Sequence, residues 1–265
     1  MTVTSTEIAA GGGGAGVGQL GATTGLLDRL RRDAPWWLLP ATVVTVLGAF
    51  TGYTVWLATT GVGDAANAPY LSPFYSPRWF AGRVPGVPAF FCLVIPLAFR
   101  FTCYYYRKAY YRSFLFDPPA CAVADPHHTY GGETRLPFVL NNLHRYAMYG
   151  ALAYVVILSY DVVQAFAYNG RAYLGIGTGI MLVNDTLLAV YAFSCHSFRH
   201  LVGGRVDCFS CVRFGQQRHA LWKGVTRLNV NHPMWAWVSM FSVVSVDIYI
   251  RMLNAGWFLD PHIRF

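Results

Sequence analysis

Charge is what this sequence has least of: Asp, Glu, Lys and Arg make up 12% of it, against roughly 25% in a soluble globular domain. With 55% hydrophobic residues in a chain of 265, that excludes a multi-domain soluble enzyme and fits one compact membrane domain. No secretory leader is expected either. Residues 1–25 (MTVTSTEIAAGGGGAGVGQLGATTG) hold no continuous apolar core ahead of a cleavage site. These Gly- and Thr-rich residues, to about position 28, are expected to form a disordered cytoplasmic tail. No internal repeat is visible, and no strand-length alternation competes with helices. Six cysteines do not read as a disulfide framework. Most fall on the side assigned below to the reducing cytoplasm, which leaves ligation or packing.

What is present is a set of long apolar runs. Crossing a bilayer takes about 20 mostly apolar residues, because the backbone must satisfy its own hydrogen bonds in lipid. Five stretches are assigned as spans: 36–59, 88–106, 138–168, 175–200 and 233–253. Trp36, Trp37 and Trp56 anchor the first at the interface, and the second is the weakest because Arg100 lies in its latter half. The expected fold is an all-α integral membrane bundle of about five transmembrane helices over residues 29–265.

The net charge of +8 would suit nucleic acid, but the basic residues are sorted by membrane side, so nucleic acid is excluded. One side holds Arg29, Arg31, Arg32, Arg100, Arg107, Lys108, Arg112, Arg135, Arg145, Arg199, Arg205, Arg213, Arg218, Lys223 and Arg227. The other holds Arg78, Arg83, Arg171, Arg251 and Arg264, fifteen against five. By the positive-inside rule the N-terminus is cytoplasmic and the C-terminus outside. The blocks CYYYRKAYYRSF and RFGQQRHALWKGVTR then cap the cytoplasmic surface, facing anionic lipid headgroups or a soluble partner. The external segment 60–87, rich in Pro and aromatics, is expected to lie over the outer helix ends.

Histidine and cysteine are distributed unevenly. Cys103 ends the second span, Cys121 follows in DPPACAV, and His144 opens the third in NNLHRY. Cys195, His196 and His200 end the fourth in CHSFRH, and Cys208 and Cys211 follow in DCFSC. All lie at the cytoplasmic end; Cys92 alone falls elsewhere in a span, where a cysteine is ordinarily a packing residue. Each alone has a plain structural role, and a single CxxC is weak evidence for a metal. Soft and imidazole ligands converging from three helix ends point together to a redox metal centre, since polar groups at membrane depth are costly. His196 and His200, four apart, share a helix face. His144 with His196 or His200 suits one bis-His haem b. The same imidazoles with two of Cys103, Cys121 and Cys195 suit a Rieske-type [2Fe–2S] cluster. The soluble Rieske loops C-x-H and C-x-x-H are absent, so such a site is assembled from separate helices. Zinc is a further option, with little to do in a bundle already held by packing.

The segments RFTCYYYRKAYYRSFLFDPPACAV, NNLHRY and SCHSFRHLVGGRVDCFSC resemble the single five-helix membrane anchor of actinobacterial (mycobacterial) succinate dehydrogenase, respiratory complex II. The resemblance runs from about Arg100 to Cys211. It implies a flavoprotein subunit that oxidises succinate and an iron–sulfur subunit that delivers electrons to the cytoplasmic face. The anchor would then pass them to menaquinone or ubiquinone in the bacterial plasma (inner) membrane, within the respiratory chain and the tricarboxylic acid cycle. It also implies a Rieske-type cluster in place of haem. The two-haem pattern is disfavoured, because no histidine lies in the outer half of any span.

A quinone head needs hydrogen-bond donors and an apolar wall; Arg100, Tyr104, Tyr105, Arg145 and Tyr146 lie at the right depth, although any one tyrosine also suits an interfacial belt. Asp161, Asp185 and Asp247 lie deeper, with Asn184 and Arg251 as possible partners. Two other functions remain open. One is an ion- or proton-coupled transporter using those three acids, against which the missing repeat weighs. The other is a cofactor-free scaffold docking partners on its basic loops.

Overall fold

The computed structural model describes residues 34–60, 66–77, 87–117, 123, 134–136, 138–168, 170–204 and 206–264. The expected N-terminal tail and Cys121 lie outside them. The chain is an all-α membrane bundle. Its helices are α1 Leu38–Thr60, α2 Val87–Thr102, α3 Tyr104–Tyr110, α4 His144–Phe166, α5 Ile176–Phe193, α6 His196–Gly203, α7 Gly215–Val230 and α8 His232–Asn254.

Among the described residues four segments are long and apolar enough to cross a membrane: Leu38–Thr59, Phe138–Phe166, Ile176–Phe193 and His232–Asn254. A helix of 23 residues such as α8 is about 34 Å long at 1.5 Å per residue, enough for the ~30 Å hydrocarbon core. The second expected span, 88–106, is shorter. Helix α2 has 16 residues and contains Pro96, so it reaches only about 24 Å. It packs along α4, while α4 packs on α5 and α5 along α8. Val55, Val156, Val163, Leu182 and Phe241 remain exposed on the outside of the bundle, where lipid removes the penalty that water would impose.

Two of the expected spans end earlier than the hydropathy suggests. The stretch 88–106 breaks at Cys103, between α2 and α3, and the stretch 175–200 breaks at Ser194–Cys195, between α5 and α6. The block CYYYRKAYYRSF forms α3 and a π turn, Tyr111–Leu115, and RFGQQRHALWKGVTR forms most of α7. Both belong to the basic end of the bundle.

At the opposite end, the described part of the external segment penetrates rather than covers. Residues Tyr70 to Ser76 are all buried. Tyr70 inserts against Gly177, where a Cβ would sit 2.5 Å from its ring carbon Cζ, so only glycine leaves room. Three short strands close this end. β1 Ala167–Tyr168 pairs with β2 Arg171–Gly175, which pairs in turn with β3 His262–Arg264, both antiparallel. The Asp260 carboxylate beside them accepts hydrogen bonds from the hydroxyls of Tyr70 and, at 2.5 Å, Tyr249. It also accepts one from the Gly177 N–H at 3.2 Å.

The deep acids are held structurally. Asp247 accepts from Tyr53 at 2.5 Å, from Arg251 at 2.7 Å and from Ser72, which bears out Arg251 as a partner. Asp161 accepts from Ser76 and Asp185 from Ser159 at 2.7 Å, while Asn184 accepts from Ser242 at 3.0 Å.

Candidate metal centre

The dipeptides Thr102–Cys103 and Ser194–Cys195 end α2 and α5 in the same way. Cys103 has φ −62° and ψ 129°, and Cys195 has φ −61° and ψ 142°. Both are extended, and both stand immediately before a short helix that runs on at a new angle. The hydroxyl ahead of each cysteine turns back on its own helix: Thr102 Oγ1 donates to the Ala98 carbonyl at 2.7 Å, and Ser194 Oγ to the Tyr191 carbonyl at 3.0 Å. The breaks thereby turn two thiols inward at the buried heart of the basic end, where Cys103 and Cys195 are 2% and 1% exposed.

Two helix starts face them. His144 is the first residue of α4, after the 3-10 turn Phe138–Leu143, and His232 is the first residue of α8, with Pro233 in its first turn. His144 Nε2 lies 3.0 Å from Cys195 Sγ, and its Nδ1 lies 2.9 Å from Thr102 Oγ1. His232 Nε2 lies 3.4 Å from Cys103 Sγ, and its Nδ1 lies 2.7 Å from Ser194 Oγ. Each imidazole has one aromatic ring stacked on it. Phe99 covers His144 at 5.0 Å and 11°, and Tyr191 covers His232 at 5.1 Å and 17°.

Thiol and imidazole are soft and borderline donors, the set that suits zinc and iron–sulfur centres. Among the described residues no three His, Cys, Asp or Glu side chains converge on one ion-sized point; the donors lie as two thiol–imidazole pairs. Beside them the Tyr191 hydroxyl is buried, with the Cys103 side chain as its neighbour.

Arg100 adds a buried positive charge. It is 8% exposed, donates to Tyr106 Oη at 2.7 Å, to the Ala236 carbonyl at 3.0 Å and to Ser239 Oγ at 3.0 Å, and lies 4.8 Å from the Tyr191 ring centre. Those bonds use three of the five guanidinium N–H groups. On one side Arg100 lines a small internal cavity of about 60 Å³ with Phe99, Tyr154 and Tyr191. On the other it lines a cleft of about 610 Å³ walled by Phe50, Leu97, Phe101, Tyr106 and Met240.

Of the six ligand candidates read from sequence, Cys103, His144 and Cys195 come together. His196 is exposed at the start of α6, and His200 Nδ1 faces Arg145 Nη2 at 3.3 Å. Cys121 lies outside the described residues, as does the side chain of Cys92. Cys208 and Cys211, read as unpaired, form a disulfide. Of the five quinone candidates only Arg100 lines the cleft. Tyr104 and Tyr146 are exposed, Arg145 faces His200, and Tyr105 accepts from the Trp237 indole at 2.8 Å. Sequence reasoning passed over His232 and Tyr106. The signal for His232 is its position, in NHP at the basic end of the last span; a span that starts at Pro233 places it in a loop.

Comparison with known proteins agrees with this architecture. Residues 38–256 match the family model described as actinobacterial succinate dehydrogenase subunit SdhC. A chain of the Mycobacterium smegmatis Sdh1 complex in the apo form superposes with a TM-score of 0.79 at 37% identity, over 88% of this chain and 92% of that one. No curated protein sequence matches. Four apolar spans, the matched family over nearly the whole described bundle and the superposition lead to one assignment: this chain belongs to the actinobacterial SdhC family, the membrane anchors of succinate dehydrogenase.

Proposed function

We propose that this anchor takes electrons at its basic, cytoplasmic end through a Rieske-type [2Fe–2S] cluster held by Cys103, Cys195, His144 and His232, and delivers them to a quinone in the cleft beside Arg100. The observation that carries the reading is the pair of thiol–imidazole contacts at 3.0 and 3.4 Å, drawn from four separate helix ends. The donor set, two thiols and two imidazoles, suits the cluster. A haem fits less well, because both Nε2 atoms are turned onto thiols rather than onto an open slot.

When bound, such a cluster supplies a one-electron centre whose imidazole ligands place its potential at about −150 to +300 mV, against about −400 mV for all-cysteine plant-type clusters. The chain's own groups prepare for it. The thiols of Cys103 and Cys195 give up their protons on loading. The Arg100 guanidinium offsets the negative charge gathered there, and Phe99, Tyr191 and Met148 keep water out.

In the cleft, the two Arg100 N–H groups not used by Tyr106, Ala236 and Ser239 are the donors for a quinone carbonyl. Phe50, Leu97 and Met240 form the apolar wall. Reduction of the quinone takes two electrons and two protons, and Tyr106, bonded to Arg100, is a hydroxyl that lines the cleft. The partners are the iron–sulfur and flavoprotein subunits, docked on the cytoplasmic face formed by α3, α6 and α7, in the bacterial plasma membrane. Lipid covers the apolar flanks.

The test is an EPR spectrum of the dithionite-reduced, detergent-purified complex together with a pyridine haemochrome assay. A [2Fe–2S] signal beyond the clusters of the soluble subunits and without haem is expected. A haem signal with no extra cluster would make the histidines axial ligands and return the cysteines to packing.

A further inference from the structure

The donors at the basic end obey an approximate two-fold pattern that runs through adjacent residues. In Thr102–Cys103 the hydroxyl meets His144 and the thiol meets His232. In Ser194–Cys195 the hydroxyl meets His232 and the thiol meets His144. Each helix break therefore touches both imidazoles, one through oxygen and one through sulfur.

The direction of the hydroxyl bonds follows from what else those oxygens do. Thr102 Oγ1 donates its proton to the Ala98 carbonyl at 2.7 Å, and Ser194 Oγ donates its proton to the Tyr191 carbonyl at 3.0 Å. A hydroxyl carries one proton. Toward His144 and His232 these oxygens therefore accept, and the imidazole hydrogen sits on Nδ1. That leaves the Nε2 lone pair of each ring pointing at the thiol side. Both rings are held in the tautomer and orientation that a metal ligand needs, and the stacked rings of Phe99 and Tyr191 stop them from rotating.

We propose that Thr102 and Ser194 are positioning residues that set the tautomer and the electron-donating strength of the two imidazoles, and through them the reduction potential of the centre. This rests on the cluster reading above. An acceptor on Nδ1–H raises the basicity of the coordinated ring. A more basic ligand favours the oxidised form of the metal and lowers the midpoint potential. Removing either hydroxyl raises it.

The experiment uses the intact complex carrying Thr102→Val, Thr102→Ser, Ser194→Ala or Ser194→Thr. Three quantities are read: the spin content of the extra [2Fe–2S] signal, its midpoint potential by EPR-monitored titration, and the two histidine nitrogen couplings by electron spin echo modulation. Thr102→Val and Ser194→Ala are expected to shift the midpoint upward, each moving one nitrogen coupling and leaving the other. Thr102→Ser and Ser194→Thr, which keep the oxygen, are expected to restore both values. Where a hydroxyl-free variant loses the cluster while its hydroxyl-bearing counterpart retains it, the oxygen is required to position the ring, and the proposal stands. Wild-type potentials and couplings in Thr102→Val and Ser194→Ala would overturn it. So would equal losses in Thr102→Ser and Thr102→Val, which would make the site a matter of packing. Absence of the signal from the wild-type complex would overturn the cluster reading itself, and the role of the hydroxyls with it.

Discussion

Cys103 Sγ and His232 Nε2 lie 3.4 Å apart although 129 residues separate them in the chain. The contact joins the end of α2 to the start of α8, with the other thiol–imidazole pair, Cys195 and His144, beside it. The second imidazole beside the thiols is thus His232 and neither His196 nor His200.

The first prediction separates these histidines. His144→Ala combined with His232→Ala is expected to leave succinate oxidation by a soluble dye intact and to abolish quinone reduction and the extra EPR signal. His200→Ala, at a residue that meets Arg145 on the outside of the bundle, is expected to preserve all three. Full quinone reduction in the His144/His232 variant would remove this site from the electron path.

Arg100 tests the cleft. Arg100→Gln removes a charge-assisted donor worth about 1.5–3 kcal/mol, so kcat/KM for a short-chain quinone should fall at least about tenfold, 1.4 kcal/mol being one decade. Arg100→Lys keeps the charge but loses the planar fork and should fall between. Dye-linked succinate oxidation by both variants should match wild type. Unchanged quinone kinetics in Arg100→Gln would place the quinone elsewhere.

The outer half depends on Asp247, which is fully buried and bonded to Arg251, Tyr53 and Ser72. Asp247→Asn leaves the Arg251 guanidinium without its carboxylate, a change that costs about 3 kcal/mol when a buried pair is broken from one side. The partial exposure of Arg251, 15%, puts the cost at the low end. Tyr53→Phe removes one hydrogen bond, worth about 1 kcal/mol. Heat denaturation of the solubilised complex should rank wild type above Tyr53→Phe and Tyr53→Phe above Asp247→Asn. Equal melting of all three would show that the network adds nothing to stability.

Tyr70 gives a pH signature at the end opposite the metal centre. Burial, and then the hydrogen bond to the Asp260 carboxylate, push its hydroxyl well above the ordinary phenol range. A raised folded value means that the neutral form is favoured by folding. The contribution is therefore fully present below the unfolded value of about 10 and fades as pH rises above it. Wild type should melt above Tyr70→Phe at pH 8, and the gap should narrow beyond about pH 10. A constant gap up to pH 11 would count against the Tyr70–Asp260 bond as its source.

Membrane class, the approximate spans and the gathering of thiol and imidazole donors at one end of the bundle were legible in the sequence. Hydropathy and charge act locally: a run of about 20 apolar residues must satisfy its own backbone wherever it sits in lipid, and the sorting of Lys and Arg needs no knowledge of packing. Cys103, His144 and Cys195 were recognisable for the same reason, as polar donors at helix ends on one side. What the tertiary structure decided is which donors face each other. Cys103 and Cys195 break their helices with extended backbone, and no hydropathy average registers a two-residue break. Whether His200 or His232 turns inward depends on the rotational phase of each helix, set by packing between α5, α6 and α8. Arg100 looked like a defect in the second span. Its partners Tyr106, Ala236 and Ser239 come largely from α8, more than a hundred residues away, and only their meeting shows how lipid-depth burial of a guanidinium is tolerated.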